Sequence, residues 1–226
     1  MRLTTHVLSS CPSYVNTLGD RTLSLRSLDI PLLEQTDSLA DIYTTLDLSH
    51  NDLRSIGSGL PVLLKVRSVL AASNRIASVS PQLSTTLPAL KTLSLIKNAI
   101  SDFQSLKELK KCGRLKNLYL IDNPVSQKDH YREFVVWLCP SLEVLDFEKV
   151  SKKERERSTE LFGSKDEPTA LAQQLLSISE RSETSQTEKI QLTDEEKAKL
   201  KEQLKKATSL VEIDRIETAL RTGFLP

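Results

Sequence analysis

From residue 43 to residue 125 the apolar positions fall into one recurring unit. Each unit pairs two apolar residues with one residue between them. An asparagine follows three residues later, and another apolar residue two beyond that. "YTTLDLSHNDL" runs from Tyr43 to Leu53, "VRSVLAASNRI" from Val66 to Ile76, "LKTLSLIKNAI" from Leu90 to Ile100 and "LKNLYLIDNPV" from Leu115 to Val125. "RTLSLRSLDI" (Arg21 to Ile30) reads as a degenerate first copy, with Leu28 in the asparagine slot, and "LEVLDFEKV" (Leu142 to Val150) as a last copy, with Val150 there. Anchor residues Leu23, Leu46, Val69, Leu93, Leu118 and Leu145 lie 23, 23, 24, 25 and 27 residues apart. Helical periodicity would not keep asparagine in register through four copies.

These spacings lie in the leucine-rich-repeat range, so the expected fold is an α/β solenoid: a right-handed horseshoe with N- and C-terminal caps and a helical C-terminal extension. Each LxL core is read as a short strand with both leucines turned inward. The column Asn51, Asn74, Asn98 and Asn123 then lies just past the strands. There each amide can bond turn backbone groups that no strand ladder satisfies. Both end copies replace the asparagine with an apolar residue, as expected where no further repeat stacks.

Domain organisation follows from where this pattern starts and stops. Residues 1–20 are expected to form an N-terminal cap and 21–128 the repeats. Residues 129–163 supply a C-terminal cap, with Phe134, Val135, Leu138 and Leu142 over the open core, and a charged post-cap helix. A Ser-, Thr-, Gln- and Glu-rich stretch, 164–191, reads as a flexible linker around a short helix near "ALAQQLL". Residues 192–226 carry two capping boxes, Thr193 with Glu196 and Ser209 with Glu212, and read as an amphipathic helical hairpin. Either the hairpin is a self-contained pair or, being too small to be stable alone, it docks on something else.

Composition adds exclusions. The net charge is +1, so no global field points to nucleic acid or membrane. No apolar run approaches the ~20 residues that span a bilayer, and the start lacks the apolar stretch of a signal peptide. Three scattered cysteines argue for a reducing compartment. His6, His50 and His130 lie in separate parts of the pattern, and no CxxC, HExxH, GxSxG or GxxxxGK[ST] occurs. No enzyme activity, cofactor or metal is therefore expected.

Strand alternation points a second set of residues outward on the concave face: Thr22, Ser24 and Arg26; Thr45, Asp47 and Ser49; Ser68, Leu70 and Ala72; Thr92, Ser94 and Ile96; Asn117, Tyr119 and Ile121; Val144, Asp146 and Glu148. Early repeats are polar there. Leu70, Ile96, Tyr119 and Ile121 form an apolar patch that suits a partner helix or apolar protein surface, although single exposed apolar residues are common. Asn117 and Asp47 flank it as candidate partner contacts. Basic residues look diffuse: Arg21 and Arg26 at the first repeat, Lys65 and Arg67 before the third, and a mixed-charge cluster after the cap.

The opening "RTLSLRSLDIP", the repeats "LDLSHNDLRSI" and "SNRI", the cap "NPVSQKDHYREFVV" with "PSLEVLDFEKVSKKERE", and the late "ATSLVEIDRIETAL" together resemble the A-prime family of the U2 small nuclear ribonucleoprotein. The sequence departs from that family at "PLLEQTDSL" and in its small third repeat, "LAAS". The resemblance implies a non-catalytic nuclear component of the spliceosome. Its concave face would hold a helix of the B-double-prime protein, whose RNA-recognition domain binds the terminal stem-loop of U2 RNA. Arg21 and Arg26 are then the candidates for RNA phosphate contact, and the C-terminal helices could meet other spliceosomal proteins. The alternative is a repeat module that directs or inhibits an enzyme such as a phosphatase, without RNA.

Overall fold

The computed structural model describes residues 3–34, 36–164 and 167–176. The hairpin expected over 192–226 and most of the expected linker lie outside these. A helix, α1 (Thr5–Ser10), leads into strand β1 (Ser13–Val15), which pairs antiparallel with β2 (Arg21–Ser24). Parallel strands follow: β3 (Thr45–Asp47), β5 (Ser68–Leu70), β7 (Thr92–Ser94), β8 (Asn117–Tyr119) and β9 (Val144–Leu145). An antiparallel strand, β10 (Glu148–Lys149), closes the eight-stranded sheet. Leu23, Leu46, Val69, Leu93, Leu118 and Leu145 pair across it, the same anchors the spacing picks out. Antiparallel hairpins at both ends leave no long parallel edge open to another chain.

The opposite side of the solenoid is built from short pieces. Strands β4 (Ser55–Ile56) and β6 (Ser78–Val79) pair with each other. A single turn, α2 (Leu83–Thr86), and 3-10 helices at Gln104–Lys111 and Pro124–Gln127 complete it. Both inward residues of each central LxL core are fully buried, including Val69 and Ala71 in the third repeat.

The asparagine column carries the turns. Asn98 Nδ2 donates to Leu95 O at 2.9 Å and to Ile96 O at 3.2 Å in its own repeat, and to Ala71 O at 2.9 Å in the previous one. Its Oδ1 accepts from Ile76 N at 2.9 Å. Asn51, Asn74 and Asn123 repeat the pattern. The residue before each asparagine is left-handed: His50, Ser73, Lys97 and Asp122 have φ between 55° and 58°. Such a residue costs about 1 kcal/mol or more, and the asparagine bonds offset it.

The C-terminal end is sealed by aromatic packing. Helix α3 (Tyr131–Leu138) buries Phe134 against Phe103 at 4.5 Å, Phe162 at 5.5 Å and Trp137 at 5.7 Å between ring centroids. Helix α4 (Lys152–Phe162) starts at a capping box of Ser151 and Glu154 and supplies Phe162. Burial works against the Glu154 carboxylate. Its bonds to Arg132 and to the Ser151 amide and hydroxyl outweigh that and hold its pKa below the usual carboxylate range. The short helix expected near "ALAQQLL" is present, but its segment is tied to the cap and is no free linker. Thr169 N and Oγ1 bond the carbonyls of Phe162 and Leu161, residues 170–176 are helical, and Ala172 is buried in the core. Leu171, Leu175 and Leu176 pack against the core, which composition alone does not reveal.

Asn98→Ala leaves the buried Ile76 amide without a partner and takes one of two bonds from the carbonyls of Leu95, Ala71 and Ile96, which keep Asn123, Asn74 and Ser73 N. It is expected to lower stability by about 3 kcal/mol in urea unfolding. Asn98→Asp, which keeps the shape but cannot donate, should be no better. A loss below about 1 kcal/mol in both would show that the column is not what holds the turns.

Candidate partner-binding face and basic residues

The concave face consists of two columns set by the strand register. One runs Ser24, Asp47, Leu70, Ser94 and Tyr119. The other lies two residues further along each repeat and runs Arg26, Ser49, Ala72, Ile96 and Ile121. His50 N donates to Ala72 O, Ser73 N to Ile96 O and Lys97 N to Ile121 O, which holds that column in step. Leu70 therefore faces Ser94, and Ala72 faces Ile96. Leu70, Ile96, Tyr119 and Ile121 spread over both columns on three adjacent strands: Leu70 and Tyr119 lie in the first, with Ser94 between them, and Ile96 and Ile121 stand side by side in the second. Leu70, Ile96, Tyr119 and Ile121 are all half-buried, with surface left for contact.

The early half of the face is less open than alternation implies. Thr22, Thr45, Asp47, Ser49 and Ser94 are buried. Neighbouring strands stand about 4.8 Å apart, so short side chains on adjacent strands shield each other. Asp47 corrects its expected role as a partner contact. It is 7% exposed, its Oδ1 accepts from Ser49 N at 3.0 Å, and its Oδ2 lies 3.9 Å from the Arg26 guanidinium. Its bonds are spent on its own turn and on Arg26. Asn117, half-buried, donates from Nδ2 to Thr92 Oγ1 at 3.0 Å on the next strand.

The last copy breaks the template. By analogy Phe147 fills the inward second-leucine slot. Instead Asp146 and Phe147, at φ 51° and 66°, form the two-residue turn between β9 and β10, and Phe147 is 67% exposed. Two successive left-handed residues suit this kind of hairpin, but glycine or asparagine normally fills it. Asp146 fixes the turn: its Oδ1 accepts from Leu120 N at 2.6 Å and its Oδ2 from Tyr131 Oη at 2.7 Å. Burial, then the charge of Asp146, push the Tyr131 hydroxyl above its ordinary pKa. The Phe147 ring lies 4.5 Å from the Tyr119 ring, tilted by 31°. Phe147 thus extends the apolar patch by one side chain. Its place in the template hid it, since only the hairpin reversal turns it outward.

Arg21 and Arg26 do not share one place. They stand five residues apart on a strand and its extension, about 16 Å at strand rise. Arg21 sits at the start of β2, with its guanidinium 5.8 Å from the centre of the Tyr43 ring. Arg26 lies beyond the far end of β2, beside Asp47, with 52% of its side chain exposed. Among the described residues no three His, Cys, Asp or Glu side chains gather as a metal site, and no disulfide joins the cysteines.

A leucine-rich-repeat family matches residues 1–175. The U2 small nuclear ribonucleoprotein A′ of Schizosaccharomyces pombe is 37% identical, with all of both chains covered. That of Debaryomyces hansenii is 40% identical, again over all of both chains. Among solved structures, the Drosophila melanogaster SNF/U2A′ complex contains a chain 32% identical, with a TM-score of 0.71, covering 79% of this chain and 99% of that one.

Phe147→Asn removes the ring contact, about 0.5–1.5 kcal/mol, and relieves a left-handed strain of similar size. Urea unfolding is expected to place the variant within about 1 kcal/mol of the parent protein. A loss above about 2 kcal/mol would show that Phe147 serves the fold and not the face.

Proposed function

Because the chain belongs to the U2 small nuclear ribonucleoprotein A′ family, we propose that its concave face holds a helix of an RNA-recognition-domain protein of the B-double-prime type. In this way it helps hold the terminal stem-loop of U2 RNA. The chain is a component of the spliceosomal U2 particle. It works in the nucleus as a non-catalytic scaffold.

The observation that carries the reading is the two-column apolar cluster of Leu70, Ile96, Ile121 and Tyr119, continued by the exposed Phe147. A helix laid across a strand face presents apolar residues three and four apart, and an apolar cluster two columns wide over adjacent strands gives such a stripe a surface to cover. The solved relative of matching fold was captured in a complex with SNF, which supports a protein partner on this scaffold. Strained Phe147 supports the same face. A large ring held both exposed and left-handed destabilises the free chain, and covering it by a partner removes the exposure.

Ile96→Asp and Tyr119→Ala, in proteins that remain folded, are expected to weaken binding of the RNA-recognition-domain partner at least about tenfold, read by calorimetry without RNA. Unchanged affinity in both would sink the patch. For Arg21 and Arg26, the quantity to follow is the salt dependence of RNA binding by the assembled pair of proteins. The double alanine variant is expected to reduce the slope of log Kobs against log salt by about one to two. A slope equal to the parent's would remove both arginines from phosphate contact.

A further inference from the structure

The solenoid gathers cations that look scattered in the sequence, and it does so along the edge where the strands begin. Backbone bonds define one column there. Thr44 O accepts from Arg67 N and Ser68 N, Arg67 O from Lys91 N and Thr92 N, and Lys91 O from Lys116 N and Asn117 N. Thr44, Arg67, Lys91 and Lys116 therefore stand one strand apart. A second column, two residues earlier in each repeat, runs Lys65, Ala89 and Arg114. Ala89 is the short member between two long ones. The outcome is a groove of about 430 Å³ lined by Thr44, Leu64, Lys65, Arg67, Ala89, Lys91 and Arg114.

Lys65, Arg67, Lys91 and Arg114 are all exposed. Among the described residues none of these four side chains has a carboxylate within ion-pair distance. Two acids stand nearby: Asp41 Oδ1 accepts from the backbone amide of Lys65 at 3.0 Å, and Glu143 pairs with Lys116 at 2.7 Å. Arg21 belongs to the same edge, since Thr44 N donates to Arg21 O. An ordinary solvated face mixes signs, as the Lys128–Asp102 and Arg132–Glu154 pairs do elsewhere on this molecule. Here four positive side chains surround one trough at strand spacing, about 4.8 Å per step.

We propose that this groove is a binding site for the phosphodiester backbone of RNA, separate from the concave patch and from Arg26. Arg67, Lys91 and Arg114 contact successive phosphates, with Lys65 at the rim. The polyanion fits the linear spacing of the cations. Contacts to phosphate carry no sequence information, so the site grips RNA without regard to sequence. The choice of RNA among polyanions rests on the ribonucleoprotein reading above. The geometry of the site does not.

The test compares the full chain with an Arg67→Glu, Lys91→Glu, Arg114→Glu triple variant. Each binds a fluorescein-labelled RNA hairpin, followed by anisotropy between about 50 and 200 mM salt. Binding of the RNA-recognition-domain partner without RNA is measured in parallel. The expected result is RNA affinity at least about tenfold lower and a salt slope smaller by about two, with partner affinity unchanged. Three contacts at about 0.7–0.9 each set that scale. No measurable RNA binding by the parent chain at the lowest salt, or an unchanged slope in the triple variant, would overturn the proposal whatever becomes of the concave patch. So would tighter capture of polyglutamate than of the hairpin, which would make the groove a site for acidic protein.

Discussion

A solenoid of short strands has to turn the chain after every third or fourth residue, and each turn strands backbone carbonyls that no sheet can satisfy. One side chain per repeat resolves this. The asparagine amide donates to two carbonyls of its own turn and one of the repeat before, while its oxygen accepts from a backbone amide of that earlier repeat. The bond set spans two repeats, so it fixes their register as well as closing the turn. It also requires the preceding residue to be left-handed, which explains why His50, Ser73, Lys97 and Asp122 share one unusual conformation despite having nothing chemical in common.

Both candidate surfaces inherit their geometry from that register. Pairing Leu70 with Ser94, and Ala72 with Ile96, spreads the apolar residues over both columns of the face. The same pairing at the other edge brings Arg67 and Lys91 one strand apart and leaves Ala89 between Lys65 and Arg114 as the gap that makes a groove. Neither feature depends on a flexible loop. The concave columns and the column of Thr44, Arg67, Lys91 and Lys116 sit on backbones bonded to neighbouring strands, which is how a repeat scaffold preorganises a binding surface.

The C-terminal cap does two jobs with one carboxylate. Asp146 takes the place where another repeat would have continued the ladder, accepting from Leu120 N, and it also ties the turn to Tyr131 on the cap helix. The sheet then ends in a hairpin in place of an open parallel edge. The reversal throws Phe147 outward onto Tyr119. Ending the fold and extending the recognition face are the same structural event.

The leucine and asparagine periods alone determined the solenoid, the anchor residues and their strand pairing, because burial and turn satisfaction are local demands that recur with each repeat. The apolar membership of the patch was legible for the same reason. Tertiary structure decided what local alternation cannot express. Asp47 and its hydroxyl neighbours are buried because side chains on strands about 4.8 Å apart cover one another, an effect of partners 23 residues away. Phe147 is exposed because the chain reverses after Leu145, and residues 167–176 pack because Thr169 ties them to the end of α4 and Ala172 enters the core. The basic groove appears only when residues 23 to 25 apart are laid side by side, a distance at which charge along the sequence looks diffuse and charge across the sheet does not.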